Sequence, residues 1–475
     1  ERLPGLFEHQ SAVGRLSLTI DAGRLTLKGA DGVADAELGP LALALEYSAD
    51  RGRLAARLTQ AGSGPPGKAV PLAQEQIKLA VTLPTRTALS KGRGEAARIE
   101  AHIGDSSLLA NGTLKAGPDL AFSGKVEASL GDAFDRLLGL PSASPRSDKG
   151  EAGKLDADMT MDARGIGLDN LKIAVGRRSV TGIAALREVN ERWSISATLG
   201  GDLVDGTAAH RVLQGVRDEK GGWSKAPLNL NPLPQIDLDL RLSSKAFRLG
   251  RFALNQVALS VFTRATRAEM AIVDSRFGEG SFKARVVVGE GEGGGQTLKI
   301  SASGENVESG ELLEQAFGFD RMTGLGSFVI QALGQGTSVA TLMASLNGTA
   351  AFDIKDGIVN GIDLTRLMNR AADQRAETAL LFSLVGKTSF EALRADFALR
   401  DGRLETVGSR FLTKTADAVM EGYSDIGLQQ HHQSVVLRKR GDGEIPQGEF
   451  FGFRMEGPLF SPSIKPDQRL LQDKR

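Results

Sequence analysis

Cysteine is absent from all 475 residues. This excludes disulfides, thiolate metal sites and cysteine nucleophiles, and leaves the compartment open, since cytosolic and periplasmic chains can both lack it. Net charge is absent as well. Lys+Arg and Asp+Glu are both 58, so the chain has no basic excess of the kind a general nucleic-acid binder carries. The local cluster Arg438-Lys439-Arg440 reads as a solvated loop. Aromatics are only 5% of the chain, fewer than the core of a closed sandwich normally uses. No apolar run reaches the roughly 18 residues of a membrane-spanning helix, and no secretory hydrophobic segment follows Glu1. The chain begins without Met, so a processed form or a part of something longer is expected.

The usual signatures of catalysis are missing too. The five histidines show no metal-binding spacing, and the only cluster, His431-His432, sits in the polar stretch LQQHHQS. There is no nucleophile elbow, phosphate loop or dinucleotide fingerprint. The glycine-rich GEGEGGG (289–295) lies between strands, with no helix or Lys-Ser/Thr after it. Carboxylates are scattered at turns and on polar faces. A paired-carboxylate hydrolase needs no sequence proximity, but nothing selects a pair. The chain is read as a non-enzyme with no cofactor and no metal.

What the chain does have is alternation. Leu16, Leu18 and Ile20 precede a turn predicted at Asp21-Ala22-Gly23, then Leu25 and Leu27 follow. Next come Leu41, Leu43, Leu45 and Tyr47, then Leu54, Ala56 and Leu58, and later Ile77–Leu83 and Ile99–Ile103. A fresh series starts with Ile236, Leu238, Leu240 and Leu242. It continues through Val257, Leu259 and Val261, then Phe282, Ala284, Val286 and Val288, then Leu298, Ile300 and Ala302. Period two places each set on one face of a strand. Turn signals recurring at roughly 8–12 residues favour antiparallel meanders over βαβ units, and the 58 glycines suit the tight turns between them.

Residues 61–71 and 141–153 read as loops, and 131–140 as a short amphipathic helix carrying Phe134, Leu137 and Leu138. Residues 200–234 break the pattern. Three segments are expected: 1–150, 151–235 and 236–475. The stretches 128–141 and 305–320 share one plan, in which a short helix with a Leu/Phe face interrupts the strands. Further helices are predicted over 337–346 and over 363–385, the latter with Asp363 as N-cap. They are candidates for capping, plugging or partner-docking elements.

A strand array with one apolar face must cover it with a second sheet, with helices or with ligand. The helices here are few and short relative to the strands. A wall of Leu, Val, Ile and Ala holds acyl chains without specific contacts, at about 0.8 kcal/mol per buried methylene. The candidate lining residues are Leu41, Leu43, Leu45, Leu238, Leu240, Leu242, Val257, Leu259, Val261, Val286 and Val288. Ordinary core packing is the alternative reading for each.

The C-terminal part resembles the AsmA family of envelope proteins. The residues that carry the resemblance are LNGTAAFDIKDGIVNGIDL (346–364), with a turn at Asp356-Gly357, and TSFEALRADFALRDGRLETVGSRF (388–411), with one at Asp401-Gly402. The closing FRMEGPLFSPSIKPD (453–467), the stretch 236–264 and the helix-bearing run through 305–346 add to it. The resemblance covers roughly 236–467, and 1–235 only as similar patterning. It implies a mainly β fold, an elongated antiparallel meander curved into a taco-like groove. It also implies a periplasmic location, an N-terminal membrane anchor outside this chain, and kinship to bridge-like lipid transfer proteins handling phospholipid between inner and outer membranes. The alternative role is a non-enzymatic assembly or scaffold factor, with an envelope protein partner at the C-terminal module. An enzyme of envelope glycan or lipid ranks last, for want of a nucleophile or metal motif.

Overall fold

The structure, a computed structural model, describes residues 15–28, 34–48, 52–58, 77–85, 87–88, 91–115, 120–131, 153–175, 178–190, 192–206, 216–227, 236–291, 295–317, 320–373, 380, 384–440, 450–459 and 461–467. The chain divides into two compact units, Glu1–Asp202 and Leu203–Arg475. The division falls inside the expected 151–235 segment. The predicted 61–71 loop, residues 132–140 of the predicted helix and most of 141–153 lie outside the described residues.

The first unit is an antiparallel meander. Its strands are β1 (Arg15–Lys28), β2 (Ala34–Ser48), β3 (Gly52–Leu58), β4 (Ile77–Leu83), β5 (Gly94–Ile103), β6 (Ser106–Lys115), β7 (Ala121–Leu130), β8 (Gly153–Asp162), β9 (Gly165–Val175), β10 (Arg178–Val189) and β11 (Arg192–Asp205). Each pairs with its successor in sequence. β7 pairs directly with β8, so the ladder continues across position 150. The turn predicted at Asp21-Ala22-Gly23 is instead an irregularity inside β1, with register shifts on either side of Gly23. A bulge takes up the extra residue without reversing the chain. Alternation brings Ala110, Leu114, Phe122, Val126 and Leu171 into one buried cluster. Full burial of each large side chain contributes about 1.5–3 kcal/mol.

The second unit continues the plan with β12 (Ile236–Leu249), β13 (Phe252–Arg264), β14 (Arg267–Phe277), β15 (Gly280–Glu290), β16 (Gln296–Glu308), β17 (Met322–Gly336), β18 (Asn347–Asn360), β19 (Lys387–Arg400), β20 (Arg403–Leu412), β21 (Ala416–Asp425), β22 (Gln430–Lys439), β23 (Phe450–Pro458) and β24 (Ser463–Pro466). Every neighbouring pair is again sequential and antiparallel. The mainly β meander expected from the alternation is the observed fold.

The two Asp-Gly signals come out differently. Asp401 (φ 46°) and Gly402 (φ 73°) make the two-residue turn between β19 and β20, as the dipeptide's tolerance of positive φ predicts. Asp356-Gly357 makes no turn. β18 runs straight through it, and the register against β17 shifts there. Asp356 alone takes the left-handed conformation, at φ 49°, which absorbs one extra residue as a bulge. Gly357 stays in the ladder because the ring of Phe390 occupies the place of a side chain.

Among the described residues, three helices with stated bounds bridge consecutive strands. α1 (Ser309–Phe317) follows β16, α2 (Val339–Ala344) follows β17, and α3 (Leu364–Asp373) follows β18. α2 starts at a capping box in which Ser338 and Thr341 satisfy each other's backbone. α3 is capped by Asp363, as predicted, its carboxylate accepting from the Arg366 N–H at 2.8 Å. Leu380 is also helical and its carbonyl accepts from Leu384 N–H. Residues 374–379 and 381–383 of the predicted 363–385 helix are outside the described set.

Candidate functional site

Register assembles the predicted residues of the second unit on one face. Leu240 pairs with Val261, Leu242 with Leu259, and Ser244 with Val257. Val261 pairs with Met270 and Leu259 with Ile272. Met270 continues to Val286, and Ala268 to Val288. Val286 continues to Ile300, and Val288 to Leu298. Leu238 lies opposite Thr263 in the same series. The face is therefore continuous from β12 to β16, and Ile300↔Ala332 carries it into β17. Leu41, Leu43 and Leu45 sit in β2 with Cα partners Gly23, Ile20 and Leu18 on one side and Leu58, Ala56 and Leu54 on the other; their side chains lie outside those described.

Burial along this face is graded. Val257, Leu242 and Leu259 are buried, whereas Leu238, Leu240, Val261, Val286 and Val288 are only half-buried. Met270, in the middle of the series, is 38% exposed. The result is a strip of apolar wall open to solvent.

Phenylalanines frame the strip at one end of the strands. Phe252 stacks on Phe277 at 5.8 Å and meets Phe282 edge-on at 5.3 Å. Phe282 contacts Phe328, Phe328 contacts Phe352, and Phe352 contacts Phe397, with centroids 6.0–6.3 Å apart. These separations are within the range of favourable ring pairs. β16 contributes no ring to the row; Gly304 stands there, beneath Phe328.

α2 closes the opposite end. Its Leu342, with Leu346 just beyond, packs on Leu298, Ala332 and Leu399, flanked by Val286, Val288 and Met343. The segment 216–227 braces this helix. Ala340 N–H donates to the Ser224 carbonyl at 2.9 Å, and Trp223 Nε1–H donates to the Ile426 carbonyl at 2.7 Å.

Further along, α3 covers the apolar face of β21–β23. Leu364, Leu367, Met368 and Leu380 pack on Ala416, Ala418, Leu437, Phe451 and Phe453. Beside α3 a cavity of about 260 Å³ remains, lined by Leu364, Phe411, Leu437, Phe453 and Met455, with Arg321 and Asn360 also on its lining. Towards the other end of the same strands the face turns polar. Ser424 Oγ lies 2.8 Å from His431 Nδ1, and Gln433 reaches both Ser424 and Thr406. Burial lowers the pKa of His431 against a hydrogen bond to Leu459. His432 points to the other face, against the Tyr423 ring. Successive strand residues face opposite ways, so the two imidazoles do not converge on one ion. Among the described residues no group of three or more His, Asp or Glu could hold a metal.

The opposite face is ionic. Glu269 receives Arg285 at 2.7 Å and Arg267 at 3.0 Å, and these hydrogen bonds, Arg285 first, lower its pKa. Arg394 pairs with Asp353 at 3.2 Å, and Arg440 of the basic cluster pairs with Glu391 at 2.9 Å. A wide depression of about 890 Å³ on this side is lined by Arg267, Arg285, Lys299, Gln331 and Thr349 among others. The ionic face also carries exposed apolar side chains: Leu325, Val329 and Leu333 of β17, which alternate there with Ser327 and Gln331 and are 54%, 50% and 47% exposed.

Several residues of the site were not legible as such. Met270 and Ile272 lie on β14, where a register shift between Ile272 and Arg276 breaks the alternation. The phenylalanine row has no signature within one strand, because its members come from different strands. Arg321 and Trp223 are lone residues whose neighbours are remote in sequence.

No helix of the described residues is long and apolar enough to cross a membrane. No curated protein and no solved structure matches the chain. The match to a family model begins before β12, takes in α1, α2 and α3, and ends within β20, short of the closing FRMEGPLFSPSIKPD. That model is the AsmA family's, and the chain is similar to it over residues 210–407.

Proposed function

We propose that the chain is a non-catalytic lipid-binding protein of the periplasm that carries phospholipid acyl chains along its apolar face, supporting the outer membrane. The AsmA family is an envelope family associated with lipid and outer-membrane assembly. The single observation that carries the finer reading is the half-covered apolar strip of β12–β17, with Met270 38% exposed at its centre. A contiguous apolar surface left open in this way needs a partner. Ring row and α2 bound it at its two ends, which leaves a lane running across the strands. A chain lying in that lane stays in contact with apolar wall while its headgroup remains in water. The larger depression on the ionic face is less suited to an acyl chain, since its arginines are already engaged with Glu269.

Native mass spectrometry and lipid extraction of the purified chain test this. The expected result is co-purified phospholipid, released on denaturation. Lipid-free protein from a source rich in envelope lipid contradicts it.

A second reading, an assembly or scaffold factor, is favoured by the exposed apolar side chains Leu325, Val329 and Leu333 on the ionic face. A stoichiometric protein partner without lipid, lost on Val329→Asp, is its expected signature.

A further inference from the structure

We propose that the cavity beside α3 receives the tail of a lipid whose headgroup is anionic, and that Arg321 holds that headgroup at the rim. The proposal rests on the lipid-binding reading and adds a ligand class and a place. The cavity of about 260 Å³ lies between the first turn of α3 and the apolar face of β19–β23. An engineered apolar cavity of about 150 Å³ stays dry and binds benzene; this one has room for a longer aliphatic segment. Its wall is mainly apolar, with Phe411, Leu437, Phe453 and Met455 among the lining side chains. The hydroxyl of Ser409, which also lines it, is engaged with the Met420 backbone, donating at 2.8 Å and accepting at 2.6 Å.

Among the described residues, charge enters this lining at one residue. Arg321 is exposed, and its guanidinium lies beside Gly361, 3.7 Å from where a side chain there would begin. The arginines of the ionic face have carboxylate partners, as Arg267, Arg285 and Arg394 do. Arg321 is in no ion pair among the described residues. A guanidinium beside an apolar cavity complements an aliphatic chain ending in carboxylate or phosphate, either of which it can bind through two parallel hydrogen bonds.

Titration calorimetry of the full chain with dodecyl phosphate, dodecanoate and dodecyltrimethylammonium, each below its micellar concentration, tests the assignment. The anionic probes are expected to bind more tightly than the cationic one, and each methylene removed is expected to weaken binding up to about fourfold. Arg321→Gln, an exposed and therefore fold-neutral change, is expected to weaken the anionic probes about three- to tenfold and leave the cationic one unchanged. Ile464→Trp, which fills the cavity from the short edge strand β24, is expected to abolish binding of all three. Tighter dodecyl phosphate points to a phospholipid phosphate, tighter dodecanoate to a free fatty acid. An unchanged affinity in Arg321→Gln overturns the anionic assignment. Probe binding that survives Ile464→Trp but is lost in Val286→Glu overturns the cavity while leaving the lipid lane intact. No probe binding by the wild type overturns the cavity too, and the co-purified lipid then decides the broader reading separately.

Discussion

The ring of Phe328 in β17 lies directly over Gly304 in β16, so that a β-carbon at 304 would stand 2.5 Å from Phe328 Cε1. The glycine is what lets the phenylalanine row pass β16 unbroken from Phe282 to Phe328. Gly304→Val is therefore expected to destabilise by about 1–3 kcal/mol through overpacking, read as a lower urea midpoint. Gly289→Ala, where a β-carbon meets nothing closer than 3.8 Å, is the matched control and is expected to leave the midpoint almost unchanged.

Trp223 ties the 216–227 segment to the β21–β22 turn by its bond to the Ile426 carbonyl. Trp223→Phe keeps the ring but removes the donor, at a cost of about 1 kcal/mol. Hydrogen exchange is expected to accelerate in 216–227 and at the start of α2, where Ala340 N–H leans on Ser224, and to remain unchanged in β5–β8. Uniform acceleration across both units contradicts this local role.

The α2 cap gives an independent check on the closure of the strip. Ser338→Ala removes the hydroxyl that accepts from Thr341 N–H and is expected to cost about 1 kcal/mol. If α2 shields Val288 and Leu298, binding of an environment-sensitive dye to the apolar face rises in this variant.

Stability is expected to fall with pH through two groups, His431 and Glu269. His431 has a folded pKa lowered by burial from 6.5, so the unfolded chain takes up the proton first. Its contribution is complete above about 6.5 and is lost as the pH drops below that value towards the folded pKa. Glu269 has a folded pKa lowered from 4.5 by Arg285 and Arg267. Its contribution is present above about 4.5 and is lost as the pH falls through the folded pKa. Thermal melts of His431→Gln are expected to lose less stability than wild type as the pH falls below about 6.5, and to keep the loss that Glu269 causes below about 4.5.

Sequence and structure agree most closely where local rules are self-sufficient. Strand alternation in β12, β13 and β15 predicted the faces of Leu240, Val261 and Val286, because period two is fixed by the backbone. Asp401-Gly402 turned as its composition requires. Asp356-Gly357 has the same chemistry and did not turn, because Phe390 of the next strand supplies a ring over Gly357 and holds the ladder together. That information lies more than thirty residues away. The same limit hid the phenylalanine row, whose rings come from β13–β15 and β17–β19, and the place of Arg321 beside an apolar cavity. His431-His432 looked like a cluster in the sequence and is split between two faces in the fold.

The claim at the centre of this account is that lipid lies on one face of β14 and not on the other. Met270 is on the apolar face and 38% exposed, whereas Val273, on the same strand but outside that face's register, is 57% exposed. A photoreactive amino acid placed at each position, with the protein recovered from cells and irradiated, compares the two faces within one strand. Lipid adducts at 270 with none at 273 are the predicted result. Adducts at 273 equal to or exceeding those at 270 would contradict it.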